Sequence, residues 1–235
     1  MAIIVQTSGP NNTIPALLDA QDRTFYDMMT VIADEIDDTT GEYTAQIQNC
    51  IFAAIRFCER NVYYFNETRD VTFKTVAGRE WYDKADNANI SSLVRVVAAY
   101  CEDTSGQRTT LRRVMPEDIE TVSDNAASRG EPYMFTYFGQ RIRLYPIPND
   151  TEYTIRLQLG PYRLAEIQTS TDSNAWFTEA FDLIKARAKY QLYKDYLKDA
   201  MLAGASLNDY NEEDSALSAE TSRRNGRGKI IGTAF

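Results

Sequence analysis

The spacing of apolar residues changes twice along this 235-residue chain, and this change constrains the fold more than any other feature. Apolar residues recur every three or four positions over residues 22–68 and at every second position from residue 70. The three-to-four spacing returns at residue 172. The longer spacing is that of an amphipathic α-helix, and the shorter one is that of a half-buried β-strand. The sequence therefore predicts an α+β fold with a β-rich segment inserted between helical segments.

Residues 22–68 predict a helical hairpin. The polar run from Asp37 to Gly41 interrupts the helical pattern, and one apolar stripe lies on each side of it. Two amphipathic helices joined by a short polar turn bury their stripes by pairing antiparallel. The stripe residues are Phe25, Met28, Met29, Ile32 and Ile36 in the first helix, and Tyr43, Ile47, Ile51, Ile55, Cys58 and Val62 in the second.

The middle of the chain has the alternation and the turn residues of antiparallel strands. Gly139 and Gln140 form a two-residue turn signal between two strand-like runs, residues 133–138 and 141–145. Apolar residues then alternate strictly with polar ones over residues 153–159. This pattern predicts an antiparallel sheet with one face buried.

These segments predict a chain of four parts. The two ends are poor in core-forming residues: the first mixes glycine and proline with short apolar pieces, and the last is polar. The glycine and proline of the first predict an irregular arm, and the last does not contain enough apolar residues to fold alone. The predicted parts are an N-terminal arm (1–21), a helical bundle domain (22–68 and 172–204), an inserted β-rich domain (69–171) and an extended C-terminal tail (205–235).

The long helix predicted over residues 172–204 has two apolar stripes, whereas a lone surface helix needs only one. The first stripe can pack on the helical hairpin, and it consists of Phe177, Phe181, Ile184, Ala188 and Leu192. The second is rich in tyrosine. A neighbouring subunit and a central position in a monomeric bundle explain it equally well. The subunit alternative predicts interface residues Leu183, Tyr190, Tyr193, Leu197 and Met201.

Composition and motifs argue against an enzyme. The chain has no histidine, which removes the commonest general base and the commonest metal ligand. Its three cysteines lack the spacing of a metal or redox site, and no phosphate-binding loop or nucleophile elbow is present. Adjacent acids such as Glu117 and Asp118 point in different directions and do not form a glycosidase pair. We therefore predict no catalytic, cofactor-binding or metal-binding residue, although a pair of carboxylates distant in sequence stays an open alternative.

The charge and hydropathy of the chain bear on its partners. A net charge of −9 argues against wrapping a nucleic acid by neutralising its phosphates. No stretch approaches the roughly 18 to 20 apolar residues that cross a bilayer. The N-terminal apolar run has no basic residues before it, so a signal peptide is not expected. We expect a protein made in the cytoplasm and without a membrane partner.

Five short motifs, in this order, resemble the head-to-tail adaptor (connector) proteins of tailed bacteriophages. Together they span roughly residues 22–200. Each motif consists largely of residues that favour turns, so the resemblance depends on the order and spacing of the five motifs. They are AIRFCER (54–60), VAGREWY (76–82), GEPY (130–133), FGQRIRLYPIP (138–148) and NAWF (174–177).

The resemblance implies a structural protein of the virion at the head–tail junction. Such a protein forms a ring, commonly of twelve copies, that docks on the portal, helps retain packaged DNA and provides a platform for tail or nozzle subunits. Double-stranded DNA would pass through the ring without specific binding. The C-terminal tail would reach along the portal, with predicted portal-binding residues Arg223, Arg224, Arg227, Lys229, Ile230, Ile231 and Phe235.

Two related functions are open alternatives to this one. The chain could be a tail-completion or tail-tube ring, which would bind tail subunits instead of the portal. It could also be an adaptor with a secondary, carboxylate-based cell-wall hydrolase activity.

Overall fold

A computed structural model describes residues 23–122, 128–149 and 152–226, so the predicted N-terminal arm lies outside the described residues. The helices are α1 (Phe25–Glu35), α2 (Thr44–Cys58), α3 (Pro116–Val122), α4 (Ala175–Thr178), α5 (Phe181–Leu192) and α6 (Ala200–Arg224). The strands are β1 (Thr68–Lys74), β2 (Trp81–Tyr82), β3 (Val96–Glu102), β4 (Arg108–Arg113), β5 (Met134–Phe138), β6 (Arg141–Tyr145) and β7 (Thr154–Leu159). The predicted α+β class is confirmed.

The strands of the described residues form one curled sheet with the order β1-β7-β3-β4-β5-β6-β2. Neighbouring strands are antiparallel except for β4 and β5, which are parallel. The first strand pairs with the last, so that Phe73 lies opposite Ile155 and Thr68 opposite Leu159. The chain therefore enters and leaves the sheet at one place, which brings the helices before and after it together.

The hairpin of β5 and β6 confirms the turn predicted from its sequence. Gly139 and Gln140 have φ angles of 58° and 61°. Two consecutive residues with positive φ are the requirement of a type I′ turn, whose twist matches that of the strands it joins. Phe138 pairs with Arg141 at the tip of this hairpin.

Two apolar cores lie in the described residues. The core of the sheet receives residues from all seven strands β1–β7, with Ile155, Leu157, Ile142 and Leu144 fully buried. The helical core joins α1, α2, α4, α5 and α6. Every residue of the predicted first stripe is buried in the helical core: Phe177, Phe181, Ile184, Ala188 and Leu192.

The helical hairpin begins with a reciprocal cap that orients α1. The Thr24 hydroxyl accepts the backbone N–H of Asp27 at 3.3 Å, and the Asp27 carboxylate accepts the backbone N–H of Thr24 at 2.7 Å. This capping box satisfies two N–H groups that the helix itself leaves unpaired. It directs the buried face of α1, which includes Phe25, Met28 and Ile32, toward α2.

The single long helix predicted over residues 172–204 is wrong, because the structure divides this segment into α4, α5, a π-helical turn (Tyr193–Leu197) and the start of α6. Lys198 ends the π-helical turn in the left-handed conformation, with φ of 56°. Asp199 then caps a new helix, and its carboxylate accepts the N–H groups of Met201 and Leu202 at 2.9 Å each. An aspartate N-cap directly after a left-handed residue stops one helix and starts the next.

The extended tail predicted from residue 205 is also wrong as far as Arg224, because α6 is a helix of 25 residues. Its buried positions are spaced by three, four or seven residues and consist of Ala203, Ser206, Tyr210, Leu217 and Thr221. Three of these five residues are small or polar, so the buried face carries no continuous stripe of large apolar side chains. The helix packs against α5 and contributes Tyr210 and Leu217 to the helical core.

No helix of the described residues is both long enough and apolar enough to span a bilayer.

Gly160 lies at the end of β7, where the backbone passes close to β3. A Cβ atom at this position would lie 2.5 Å from Cγ2 of Val97, whose branched side chain has little rotational freedom. We therefore expect Gly160→Ala to lower the free energy of unfolding by about 1–3 kcal/mol. Urea unfolding measures this, with Gly130→Ala as the control because its Cβ would meet no atom within 4 Å. Adding Val97→Ala restores stability if the contact is the cause, and equal stability of the Gly160 and Gly130 variants would contradict it.

Candidate assembly surfaces

The five predicted subunit-interface residues differ in how far the chain's own helices cover them. Leu183 and Tyr193 are only 1% and 7% exposed, and Leu183 belongs to the helical core that α6 completes. Tyr190 and Leu197 are partly buried, and Met201 is 78% exposed. The chain's own helices therefore cover much of the second stripe, as in the alternative of a central helix. A subunit contact stays a prediction for the residues that remain accessible.

Exposed apolar side chains cluster at the junction between the π-helical turn and α6. Tyr196 is 46% exposed and Leu202 is 39% exposed, close in sequence to the exposed Met201. A second exposed aromatic residue, Phe138, projects from the tip of the β5–β6 hairpin with 64% of its surface accessible. These residues are accessible for contacts with other chains.

A set of polar contacts holds the C-terminal half of α6 against the segment between α2 and β1. The Tyr63 hydroxyl donates to the Asp214 carboxylate at 2.6 Å, and the Tyr64 backbone N–H donates to the Thr221 hydroxyl at 3.1 Å. Burial first, and then the hydrogen bond to Asp214, raise the pKa of Tyr63. Farther along, the Asn225 amide donates to the Glu67 carboxylate at 2.6 Å. The end of α6 is thus fixed in position by side chains far from it in sequence.

Two of the predicted portal-binding residues lie in the last turn of α6. Arg223 is exposed, whereas Arg224 forms an ion pair with Glu220 at 2.5 Å and stacks 3.7 Å from the ring centre of Tyr64. The remaining predicted residues lie outside the described residues: Arg227, Lys229, Ile230, Ile231 and Phe235. Arg223 is accordingly the freer of the two arginines to contact a partner.

A groove between α1, α5 and α6 is lined mainly by acids, and we call it the acidic groove. Glu35 at the end of α1 accepts hydrogen bonds from Lys185 at 3.1 Å and from Lys189 at 2.5 Å. Burial alone would raise the pKa of Glu35, but these two lysines outweigh it and hold the pKa below its ordinary value. The groove has five carboxylates and two ammonium groups, from Glu35, Asp182, Asp209, Glu212, Glu213, Lys185 and Lys189.

A second groove, between α2 and the end of α5, is basic and aromatic, and we call it the basic groove. Its charged residues are Arg56 and Arg60, and both are exposed. Phe52, Phe57 and Gln191 also line it, with 37% of Phe57 exposed.

Arg187 of α5 supports the wall of the basic groove from behind. Its guanidinium lies 3.9 Å from the ring centre of Phe57 and 5.4 Å from that of Tyr210 in α6. Such cation–π contacts hold an aromatic ring in place at a surface. Phe57 therefore presents a fixed apolar face.

Neither groove was predicted from the sequence. Arg56 and Arg60 are four residues apart, and Asp209, Glu212 and Glu213 are three and four residues apart. Such spacings place like charges on one face of a helix, although Arg60 lies just beyond the end of α2. The acidic set was missed because residues 205–235 were interpreted as an extended tail.

The three cysteines are buried thiols rather than candidate nucleophiles. Burial raises the pKa of Cys50 to about 11 and the pKa values of Cys58 and Cys101 to about 12. No group of three or more His, Cys, Asp or Glu residues in the described part of the chain is arranged to hold a metal ion.

These pKa values predict that the folded protein resists alkylation. Because the thiolate is the reactive form, iodoacetamide at about pH 8 should leave all three cysteines unmodified in the native protein. The same reagent should modify all three once the protein is unfolded by guanidinium, which serves as the control. Intact-mass spectrometry counts the adducts. Rapid modification of any cysteine in the native protein would contradict the burial described here.

Comparison with known proteins gives the class of the molecule: this chain is a bacteriophage adaptor protein and thus a component of the virion. The family that matches is described as the SU10 adaptor protein, and its sequence model matches residues 23–230. The chain belongs to this family. A search of curated proteins gave no match.

Proposed function

We propose that this chain forms the head-to-tail adaptor ring of its phage. The ring docks on the portal, helps to retain the packaged DNA, and provides the surface to which the tail attaches. The observation that carries the proposal is the family match over residues 23–230, which spans both the helical core and the sheet. The protein acts by binding rather than by catalysis and is assembled into the virion after synthesis in the host cytoplasm.

The helical part supplies the wall of the proposed ring. Its helices share one core, and the accessible remainder of the second stripe, Tyr190, Leu197 and Met201, lies at or near its surface. The sheet extends from this wall and presents exposed residues such as Phe138 to tail or nozzle subunits. Twelve copies is the number that we propose, because the resemblance to phage connectors implies it.

The portal contact lies at the C-terminal end of the chain. The hydrogen bond between Asn225 and Glu67 fixes the end of α6, and Arg223 is exposed in its last turn. Arginine and apolar side chains together are typical of protein interfaces. We propose that residues 223–235 bind along the portal.

The net charge of each copy suits a channel for DNA. Each chain contributes −9, and a ring of negative chains repels the phosphate backbone instead of binding it. DNA then slides through the ring without specific contacts. The proposed ring therefore retains the genome by closing the channel and not by binding the DNA through charge.

An amber mutation in the gene for this chain tests the proposal in the phage itself. In a non-suppressing host we expect heads that package DNA, then lose it, and that carry no tails. Wild-type protein supplied from a plasmid should restore infectious particles, which is the control. Heads that keep their DNA but carry incomplete tails would indicate a tail-completion ring instead, and normal particles would overturn the proposal.

A further inference from the structure

The acidic and basic grooves lie on opposite sides of α5. Lys189 lines the acidic groove, whereas Gln191 lines the basic groove. Residues two positions apart on an α-helix point about 200° apart around its axis. One helix thus separates two surfaces of opposite charge.

Several exposed charges of these grooves form no ion pair inside the part of the chain that the structure describes. Within residues 23–122, 128–149 and 152–226, no ion pair is formed by the three α6 acids that line the acidic groove or by the two arginines that line the basic groove. All five side chains are exposed: Asp209, Glu212, Glu213, Arg56 and Arg60. Within the same ranges, the buried amide oxygen of Gln191 also accepts no hydrogen bond.

We propose that neighbouring copies of this chain pack head to tail, with the acidic groove of one copy against the basic groove of the next. The argument for a second copy as the occupant is charge complementarity, since carboxylates outnumber ammonium groups in the acidic groove and both charged residues of the basic groove are arginines. The exposed ring of Phe57, held by Arg187, supplies an aromatic contact in the wall of the basic groove. This inference rests on the proposed function, because it identifies the contact that builds the ring.

The position of the two grooves fits a ring better than a two-fold dimer. A two-fold contact uses one self-complementary patch, whereas a ring joins two different patches on each subunit. Two complementary surfaces on opposite sides of one helix are of the second kind. Because the contact is mostly polar and salt screens exposed charges, we expect it to form on the portal, where copies are concentrated, and to weaken as ionic strength rises.

Charge reversal tests this pairing on the portal ring. Arg56→Glu/Arg60→Glu and Glu212→Arg/Glu213→Arg should each reduce loading of the adaptor onto the portal by about tenfold or more, because each places like charges against each other. Combining all four substitutions in one chain should restore loading. Mixing the two double variants should also restore it, since every contact in an alternating ring then joins opposite charges. Native mass spectrometry counts the bound copies.

A variant of the sheet and the wild-type chain serve as controls, and together they distinguish a wrong pairing from a wrong function. Lys84→Glu/Arg112→Glu makes the same change in net charge as Arg56→Glu/Arg60→Glu, at exposed sites in the turn after β2 and in β4, and should load like the wild-type chain. If the wild-type chain does not load at all, the proposed function fails. If it loads and both reversed variants load equally well, or if the sheet control loses as much, the head-to-tail pairing is wrong. A mixture that stays unassembled although the fourfold variant loads would also overturn it.

Discussion

Replacing Trp176 with alanine should lower the free energy of unfolding by about 3–5 kcal/mol, the largest effect expected from any single change considered for this chain. Trp176 is fully buried in α4, where its ring meets those of Tyr63 at 5.9 Å and Phe65 at 5.0 Å in edge-to-face contacts. It joins the segment that follows the sheet to the segment that precedes it. Truncation leaves a cavity that these rings cannot fill without moving apart.

Urea unfolding followed by far-UV circular dichroism measures this loss. Trp81→Ala is the matched control, because the chain has two tryptophans and Trp81 is only partly buried on the outer strand β2. Its indole lies 5.3 Å from the guanidinium groups of Arg141 and Arg143, so its removal should cost less than about 1.5 kcal/mol. Equal losses for the two variants would contradict the position of Trp176 at the centre of the helical core.

Tyr210→Ala should lower the free energy of unfolding by about 2–4 kcal/mol. Tyr210 is 7% exposed and contacts the ring of Phe57 at 6.2 Å, and the guanidinium of Arg187 lies over it. It is the large aromatic side chain through which α6 joins the helical core. The substitution removes this contact and also loosens Arg187, which supports Phe57.

The same unfolding measurement distinguishes a docked α6 from an extended tail. Tyr196→Ala is the control, because Tyr196 lies just before α6 and is 46% exposed. Its removal should change stability by less than about 1 kcal/mol. If Tyr210→Ala were as mild as this control, residues 205–224 would not be packed on α5 as described.

The helical hairpin and the strands could be predicted because large apolar residues mark their buried faces. Ile47 and Ile51 are spaced by one turn and both lie in the core, and Val71 and Phe73 alternate with polar residues on β1. In these segments the period of the pattern and the period of the backbone coincide. The turn at Gly139 was predictable for a similar reason, since glycine tolerates positive φ at low cost.

Helix α6 could not be found in this way because small side chains make its contacts. Ala203, Ser206 and Thr221 are buried, but a search for stripes of large apolar residues does not count them. The tyrosine-rich stripe of α5 was likewise ambiguous, because a pattern of apolar residues does not reveal whether the covering surface belongs to the same chain. Strand β4 was not predicted because only Leu111 among its six residues is buried, which leaves no alternation of apolar and polar residues.

The order of the strands in the sheet could not be predicted from the sequence, for a different reason. Pairing of β1 with β7 joins residues more than eighty positions apart, such as Phe73 and Ile155. The two-residue period identifies which face of a strand is buried but not which strand lies beside it. The charged grooves depend on the same kind of long-range contact, because the acidic groove brings together residues of α1, α5 and α6.

The most direct test of the adaptor function is the mass of the complex formed when this protein is mixed with the portal ring of its phage. The account predicts saturation at one adaptor per portal subunit. It also predicts that a chain ending at Gly226, which keeps α6 but lacks the predicted portal-binding residues beyond it, fails to bind. Failure of the intact chain to bind the portal would contradict the account, and binding to tail subunits alone would identify a ring on the tail side of the junction.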